Sequence, residues 1–274
     1  MAGAYVGARH HGGVPAQISP ADRPGAFVLN MDGHDQSHVD LEDPTRLDFD
    51  YVRRIGDVLD AWRTPGEPMR VLHVGGAAMT LPRYVAHTRP RSAQVVLEPA
   101  ADVTEQVRRE LPLPRRSGIK VRPVDGRSGL AELRDAALDV VVVDAFAGGR
   151  VPGELVTTQC AADYARVMCE DGLLLLNLVD VAPFAWTRRV VAAVRTALPA
   201  QLLSAEPATL RGRRAGNLLL VAGRVAVPLA ALRARAQTSP APYRVLDGSQ
   251  VSDTVGGGLP FVDEDTAPSP AATR

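Results

Sequence analysis

The chain has 274 residues, of which 46% are hydrophobic and 23% are charged, so it is long enough to bury a sizeable core. Lysine and arginine together number 31, as do aspartate and glutamate, and the formal net charge is zero. Because the chain has no net positive charge, no overall electrostatic field draws it to nucleic acid or to a membrane surface. We therefore expect neither of these partners, which leaves a small polar or cationic substrate open.

The two cysteines and the absence of long apolar runs predict a cytoplasmic location. Cys160 and Cys169 are nine positions apart, which favours buried thiols in a reducing compartment over a disulfide or a metal pair. No run of 18 apolar residues occurs, and residues 1–13 lack the apolar core of a signal peptide. The histidines match no zinc signature, so we expect no metal site.

Composition divides the chain into four parts. Residues 1–24 and 249–274 lack periodicity and are rich in small residues and proline, which predicts two disordered tails. Between them, residues 25–66 are expected to form an N-terminal hairpin and a first helix, and residues 67–248 a single nucleoside-binding domain.

In the first ordered part, two apolar-alternating segments, AFVLN and HDQSHVDL, flank Asp32-Gly33. An Asp-Gly pair between two such segments is typical of a tight β-hairpin. Asp43-Pro44-Thr45 then predicts the start of a helix that runs to Asp60.

From Val71 onward, strand and helix signals alternate along the chain, which is the pattern of a parallel sheet covered by helices on both faces. The sequence predicts an α/β fold with a Rossmann-like sheet of seven mostly parallel strands and a short N-terminal hairpin. The last two strands form a hairpin with one antiparallel member, and a closing helix follows at 228–237. The predicted strands are 71–75, 94–98, 119–124, 139–144, 173–180, 201–206 and 216–223; the predicted helices between them are 79–88, 100–110, 128–135, 158–168 and 184–198.

The segment RVLHVGGAA, residues 70–78, is an apolar strand that ends on paired glycines. Gly75 and Gly76 at this place indicate a nucleotide loop, because glycine lets the backbone turn sharply and approach a ligand closely. Paired glycines also allow a helix simply to pack tightly on a strand. The position at a strand's carboxyl end, where ligands of open parallel sheets bind, favours the first interpretation.

Three carboxylates end the next three predicted strands. Glu98 lies 22 positions after Gly76, a spacing that favours a ribose diol over a cap for the helix that follows. Asp125-Gly126 could place a carboxylate near an adenine amino group or could be an ordinary turn. Asp144 ends the buried run VVVVD, where an unpaired charge is costly, so a cationic ligand, an amine proton or a structural cap is expected beside it.

The sequence lacks the motifs of several enzyme classes. The chain has no serine nucleophile elbow, no phosphate-binding P-loop and no Cys/His pair, so hydrolase and kinase chemistry are not expected. His73 lies inside the first strand of the domain and is expected to be a buried, hydrogen-bonded core residue.

Taken together, these motifs resemble the spermidine synthase family of polyamine aminopropyltransferases, most closely the divergent spermidine synthase-like proteins of high-GC bacteria. The resemblance covers about residues 27–178. It depends on the order and spacing of FVLNMDGHDQSHVDL, Tyr51, VLHVGGAA, VVLEP, VDGR and VVVVDAFAGGRVP.

The resemblance implies a transferase that moves an aminopropyl group from decarboxylated S-adenosylmethionine to an amine acceptor, with no prosthetic group. It implies that Glu98 holds the ribose, that Asp125 and Gly126 contact the adenine, and that Gly75 and Gly76 lie at the sulfonium. By the same resemblance the acceptor pocket contains Gln36 and Tyr51, Asp144 is the catalytic proton acceptor, and the protein is a homodimer.

Two positions depart from the family pattern. Ala78 stands where the family's GGGDGG loop has an acid that holds the donor's ammonium. The segment VVVVDAFAGGRVP corresponds to the family's gate loop, and Ala147 stands where that loop has a second acid. Asp32, Asp35 and Asp40 of the hairpin are candidates to compensate. The departures leave three hypotheses open: an aminopropyltransferase with an altered amine pocket, a methyltransferase that uses S-adenosylmethionine itself, and a non-catalytic nucleoside-binding relative.

Overall fold

The computed structural model describes residues 16–31 and 33–271, which form two sheets and the helices around them. The larger sheet has eight strands in the order β11-β9-β10-β8-β7-β4-β5-β6. Strands β6, β5, β4, β7 and β8 are mutually parallel, whereas β10 is antiparallel to both β8 and β9. These strands are β4 (Arg70–Val74), β5 (Ala93–Leu97), β6 (Ile119–Arg122), β7 (Leu138–Val143), β8 (Met168–Asp180), β9 (Ala200–Ala205), β10 (Gly216–Gly223) and β11 (Arg244–Leu246).

The predicted α/β class, the parallel order and the terminal hairpin of β9 and β10 are confirmed. The sheet has an eighth strand, the three-residue β11, which pairs with the edge of β9. So short a segment carries too little periodicity to be found in the sequence.

Nine α-helices occur in the described part of the chain. Helices α1, α2 and α8 cover one face of the large sheet, and α4, α5, α6 and α9 cover the other. Their bounds are α1 (Asp50–Ala61), α2 (Thr80–Thr88), α3 (Ala101–Glu110), α4 (Gly126–Ala131), α5 (Thr158–Val167), α6 (Ala185–Arg195), α7 (Pro207–Leu210), α8 (Leu229–Thr238) and α9 (Gly248–Val255). None of these helices has the length and apolar character needed to cross a bilayer.

Helix α1 begins seven residues later than the sequence predicts. The side chain of Asp43 accepts hydrogen bonds from the backbone N–H and the hydroxyl of Thr45. Asp40 likewise accepts the N–H groups of Glu42 and Asp43. Because carboxylates take the amides that would start a helix, this segment forms turns instead.

The N-terminal unit is a three-stranded antiparallel sheet in the order β1-β2-β3. Strands β2 (Ala26–Met31) and β3 (His34–Asp40) form the predicted hairpin around Gly33, which has a φ of +77°; Asp32 lies outside the described residues. Leu29 and Val39 pack against the loop after β4 and against α3, which fixes this sheet over one end of the large sheet.

The prediction of disordered tails is wrong for residues 17–20 and 249–271. Gln17–Pro20 forms β1, which pairs with β2, while residues 1–15 lie outside the described part of the chain. At the other end, α9 packs beneath the sheet and residues 256–271 cross α5 and α6 with Phe261 fully buried. The segment is mostly small residues, so the few buried apolar residues that hold it, such as Phe261, do not form a recognisable sequence pattern.

Candidate active site

A cavity of about 300 Å³ opens at the carboxyl edge of β4, β5 and β7, beneath β3 and the start of α1. All eight residues that the motifs or the family resemblance assign to the site line it. They are Gln36, Tyr51, Gly75, Gly76, Glu98, Asp125, Gly126 and Asp144. Parallel strands that end at one edge bring the six residues from Gly75 to Asp144 together, as expected for an open α/β sheet, whereas Gln36 lies on β3 and Tyr51 on α1.

The loop after β4 passes very close to β7. Gly75 has a φ of +91°, and its N–H donates to the Leu97 carbonyl at 2.9 Å. A Cβ at this position would overlap the carbonyl of Asp144. A Cβ at Gly76 would come within 2.6 Å of Val96. Both glycines are therefore required for packing, whether or not a ligand approaches them.

Replacing Gly75 with alanine should destabilise the fold more than the same change at Gly66. Gly66 has a similar φ of +78°, but a Cβ there would meet nothing within 4 Å. Both variants carry the cost of a left-handed conformation, about 1–2 kcal/mol. Gly75→Ala adds a backbone clash of about 1–3 kcal/mol. Urea unfolding of the two variants measures the difference, and equal losses would contradict the close approach.

Glu98 holds the glycine loop in place. Its Oε2 accepts the N–H groups of Gly76 at 3.0 Å and Ala77 at 3.2 Å, and its Oε1 accepts the N–H of Ala100 at 3.0 Å. The carboxylate therefore also holds the segment that leads into α3. Each oxygen has lone-pair capacity beyond these bonds, so a partly buried Glu98 on the cavity wall can still accept a hydroxyl.

Asp125 is the N-cap of α4, where its Oδ1 accepts the N–H of Ser128 at 2.9 Å. Partial burial acts to raise its pKa, but the hydrogen bonds from Ser128 outweigh it and the pKa is lowered. Because the cap starts the helix at once, α4 begins at Gly126, two residues earlier than predicted. Asp125 is thus an ionised carboxylate at the rim of the cavity.

Asp144 follows β7 and is tied into the sheet. Its N–H donates to the Val74 carbonyl at 2.9 Å, and Asn177 Nδ2 donates to its Oδ1 at 2.8 Å. Burial raises the pKa of Asp144 to about 6, although the Asn177 hydrogen bond acts in the opposite direction. Burial and the charge of Asp144 also raise the pKa of Tyr51 well above its usual value.

A polar chain behind Asp144 was not singled out in the sequence. Asn217 Nδ2 donates to Asn177 Oδ1 at 3.0 Å, and the buried Arg54 donates to the backbone carbonyl of Asn217 at 3.2 Å. Asn177 lies on β8 beside the end of β7, where it can fix one carboxylate oxygen. Its signal in the sequence is a lone amide within the apolar run LLLLNLVD.

Comparisons with known proteins define the fold. No protein-family model and no curated protein sequence matches the chain. A probable spermidine synthase from Corynebacterium glutamicum superposes with a TM-score of 0.83 at 24% identity, covering 90% of this chain and 92% of that one. The chain has the fold of a spermidine synthase.

Two further structures place this fold in a wider group. A spermidine synthase in complex with the transition-state analogue AdoDATO has a TM-score of 0.52 at 13% identity, over 87% of this chain and 82% of that one. Human methyltransferase-like protein 13 in complex with SAH has a TM-score of 0.54 at 19% identity, over 64% of this chain and 82% of that one. The spermidine synthase fold shares its sheet with methyltransferases.

Within this spermidine synthase fold, the two alanines differ in their surroundings. Ala78 is fully buried against the N-terminal sheet, and its N–H donates to Ser37 Oγ at 3.2 Å. Ala147 lies on the cavity wall in a tight turn whose N–H donates to the Arg150 carbonyl. The side chain at position 78 therefore contributes to packing, whereas position 147 leaves an apolar surface on the gate loop.

The hairpin acids do not replace the missing ones. Asp40 is buried in an ion pair with Arg23, and Asp35 accepts a hydrogen bond from Asn30 away from the cavity wall. Asp32 lies outside the described residues. The cavity instead gains two acids that the sequence did not indicate, Asp48 before α1 and Glu154 just after the gate loop.

The C-terminal segment 256–271, here called the strap, holds the gate loop. The N–H of Ser269 donates to the Val151 carbonyl, and the N–H of Val151 donates to Ser269 Oγ. The Thr266 hydroxyl donates to the Gly153 carbonyl at 2.8 Å. Glu154, which lines the cavity, lies between these anchored positions and α5. The strap is therefore part of the framework of the site.

Among the described residues, no group of three or more His, Cys, Asp or Glu side chains could hold a metal ion. His73 is buried and hydrogen-bonded to Gln94, as the sequence predicts.

Proposed function

We propose that the protein is a transferase that moves the aminopropyl group of decarboxylated S-adenosylmethionine to an amine acceptor. The observation that carries this proposal is the charge of the cavity. Five carboxylates of the described residues line it, those of Asp48, Glu98, Asp125, Asp144 and Glu154. A cavity wall that carries these negative charges favours a cationic donor and a cationic acceptor.

The positive charge on the cavity wall supports the same choice of donor. Arg127 is the arginine among the described lining residues, and it lies 3.0 Å from Asp263 and 3.7 Å from Asp163. Its charge is therefore already paired. S-adenosylmethionine carries a carboxylate that would need a cation, whereas the decarboxylated donor carries none.

The proposed roles follow the positions of the side chains. Glu98 accepts the ribose hydroxyls while it braces the loop of Gly75 and Gly76 at the sulfonium. Asp125 and Gly126 contact the adenine at the rim. Gln36 and Tyr51 line the side where the acceptor enters.

The reaction is a substitution at the carbon attached to the sulfonium. The amine nitrogen forms a bond to this carbon, the carbon–sulfur bond breaks, and methylthioadenosine leaves with the electron pair. The cavity contributes mainly by placing the nitrogen in line with the breaking bond. Asp144 takes a proton from the amine, and a pKa of about 6 keeps it ionised and able to accept one at neutral pH.

Calorimetric titration with three nucleosides tests the proposal: decarboxylated S-adenosylmethionine, S-adenosylmethionine and methylthioadenosine. We expect the decarboxylated donor to bind more tightly than S-adenosylmethionine, and mass spectrometry to detect an aminopropylated amine. Tighter binding of S-adenosylmethionine would favour a methyltransferase, an alternative supported by the absence of a carboxylate in the loop 75–79. Binding of none of the three would favour a non-enzymatic role.

Glu98→Gln should weaken methylthioadenosine binding by about tenfold or more. The amide cannot accept with both of its terminal atoms, so a charge-assisted contact worth about 1.5–3 kcal/mol is lost. Glu105→Gln, an exposed change on α3, is the matched control. Calorimetry measures both, and unchanged affinity in Glu98→Gln would remove this carboxylate from the nucleoside site.

A further inference from the structure

The polar chain behind Asp144 lies on the face of the large sheet that packs against α1. In the parallel register of β7 and β8, Asp144 follows the last paired residue and lies beside Asn177. Asn217 on β10 is two residues from Leu219, which pairs with Asn177, so both asparagines are on the same face. The three polar side chains therefore form one row across three strands.

The orientation of the Asn177 amide is determined at both of its ends. An ionised carboxylate can only accept, so the 2.8 Å contact with Asp144 Oδ1 requires Asn177 Nδ2 at that end. The amide oxygen then faces Asn217, whose Nδ2 donates to it at 3.0 Å. A reversed amide would place two acceptors together at one end and two donors at the other. Asn177 therefore presents a donor to Asp144.

Helix α1 fixes the far end of this polar chain. The buried Arg54 donates to the Ser204 carbonyl at 2.9 Å and to the Asn217 carbonyl at 3.2 Å. Tyr51 lies three residues before Arg54, on the same side of the helix, and lines the cavity. The helix that holds the backbone of β10 therefore also places Tyr51 at the cavity.

The two carboxylate oxygens of Asp144 have different surroundings. Oδ1 accepts the hydrogen bond from Asn177. Oδ2 has no hydrogen-bond partner in the part of the chain that the structure describes, and it is not one of the buried unpaired atoms there. Because Asp144 is half-buried and lines the cavity, Oδ2 is the oxygen that an amine in the cavity can reach.

We propose that Asn177, oriented by Asn217, is a positioning residue that anchors Oδ1 of Asp144 and leaves Oδ2 as the atom that takes the proton of the acceptor amine. In that step the N–H bond breaks, its proton goes to Oδ2, and its electron pair stays on the nitrogen that has bonded the carbon. This inference rests on the proposed aminopropyl transfer, in which Asp144 is the proton acceptor. A fixed carboxylate loses less rate to misorientation than one that is free to rotate.

The hydrogen bond from the anchoring amide also favours the ionised form of Asp144, in opposition to burial. The titratable groups on the elements around this carboxylate do not take over that role. The pKa of Tyr51 on α1 is raised and that of His73 on β4 is lowered to about 4, so both are neutral at pH 7. Arg54 bonds backbone carbonyls farther along the polar chain, and gate-loop residues 145–149 have no titratable side chain. Loss of the amide donor should therefore raise the pKa of Asp144.

Asn177→Leu tests the proposal in the full chain. We expect kcat for aminopropyl transfer to fall about ten- to hundredfold, the range of a misplaced base, with methylthioadenosine affinity within about twofold of wild type. The acid limb of the pH–rate profile should move to higher pH by about one pH unit, because the carboxylate loses a charge-assisted hydrogen bond. An acid limb that does not move, or a loss of nucleoside affinity as large as the loss of kcat, would overturn the proposal.

Two further variants separate positioning from packing. Asn217→Leu removes the donor that orients Asn177 and should move the acid limb in the same direction by a smaller amount. Leu220→Ala is the matched control, because Leu220 is buried in β10 on the opposite face of the sheet. It should lower the melting temperature and leave the acid limb in place. An equal movement of the limb in Leu220→Ala would overturn the positioning role.

NMR of the wild-type protein provides a measurement that needs no substitution. The Asn177 side-chain amide should shift with pH at the same midpoint as the carboxyl carbon of Asp144, at about pH 6. An amide resonance that does not respond between about pH 5 and about pH 7 would overturn the proposed anchor. Failure of every nucleoside to bind would instead contradict the proposed function, and the titration of the free protein would still test the contact between Asn177 and Asp144.

Discussion

Asp144→Asn should lower turnover by about a hundredfold to ten-thousandfold while leaving methylthioadenosine affinity within about twofold. This range is that of a lost general base, because the amide cannot take up the amine proton. The nucleoside contacts come from other strands and should persist. Rate and binding measurements on the same preparation separate these effects, with the exposed Asp253→Asn as control. Equal losses of rate and affinity would place Asp144 in the nucleoside site.

The same substitution should raise thermal stability at pH 8. The pKa of Asp144 is about 6 in the folded protein and near 3.8 when unfolded, so the folded state holds the proton more tightly. Stability contributed at this site is therefore lost as the pH rises from about 4 to about 6. Asparagine does not ionise, so the difference in melting temperature should shrink toward pH 4. A variant less stable than wild type at pH 8 would contradict this.

Phe261→Ala should lower the free energy of unfolding by about 3–5 kcal/mol, the usual cost of deleting a buried aromatic ring. The ring is 1% exposed, lies 6.0 Å from the ring of Trp186, and has the Arg189 guanidinium 4.0 Å above it. These contacts fix the strap against α6 and the core of the large sheet.

Leu259→Ala provides the matched control for Phe261→Ala. Leu259 lies two residues earlier in the same strap and is 80% exposed, so its truncation should change stability by no more than about 0.5 kcal/mol. Urea unfolding of both variants decides whether this segment is ordered. Equal small effects would mean that the segment does not pack on the core.

Much of the fold could be predicted because the signals are local and repeated. The seven main strands are apolar runs bounded by turn residues, and the helices between them have one apolar face, which is sufficient for a parallel α/β sheet. The start of α1 could not be placed, because Asp40 and Asp43 compete for the backbone amides through side-chain geometry. Strand β1 and the strap carry too few apolar residues to stand out from a solvated tail.

The sequence by itself determined the sheet and the convergence of Gly75, Glu98, Asp125 and Asp144, because residues that end parallel strands must meet at one edge. Only the tertiary structure decided what surrounds them. Asn177 meets Asp144 across two strands, the strap reaches the gate loop from the far end of the chain, and His73 bonds Gln94 on the neighbouring strand β5. Contacts between residues distant in the chain depend on tertiary packing, which local sequence patterns do not predict.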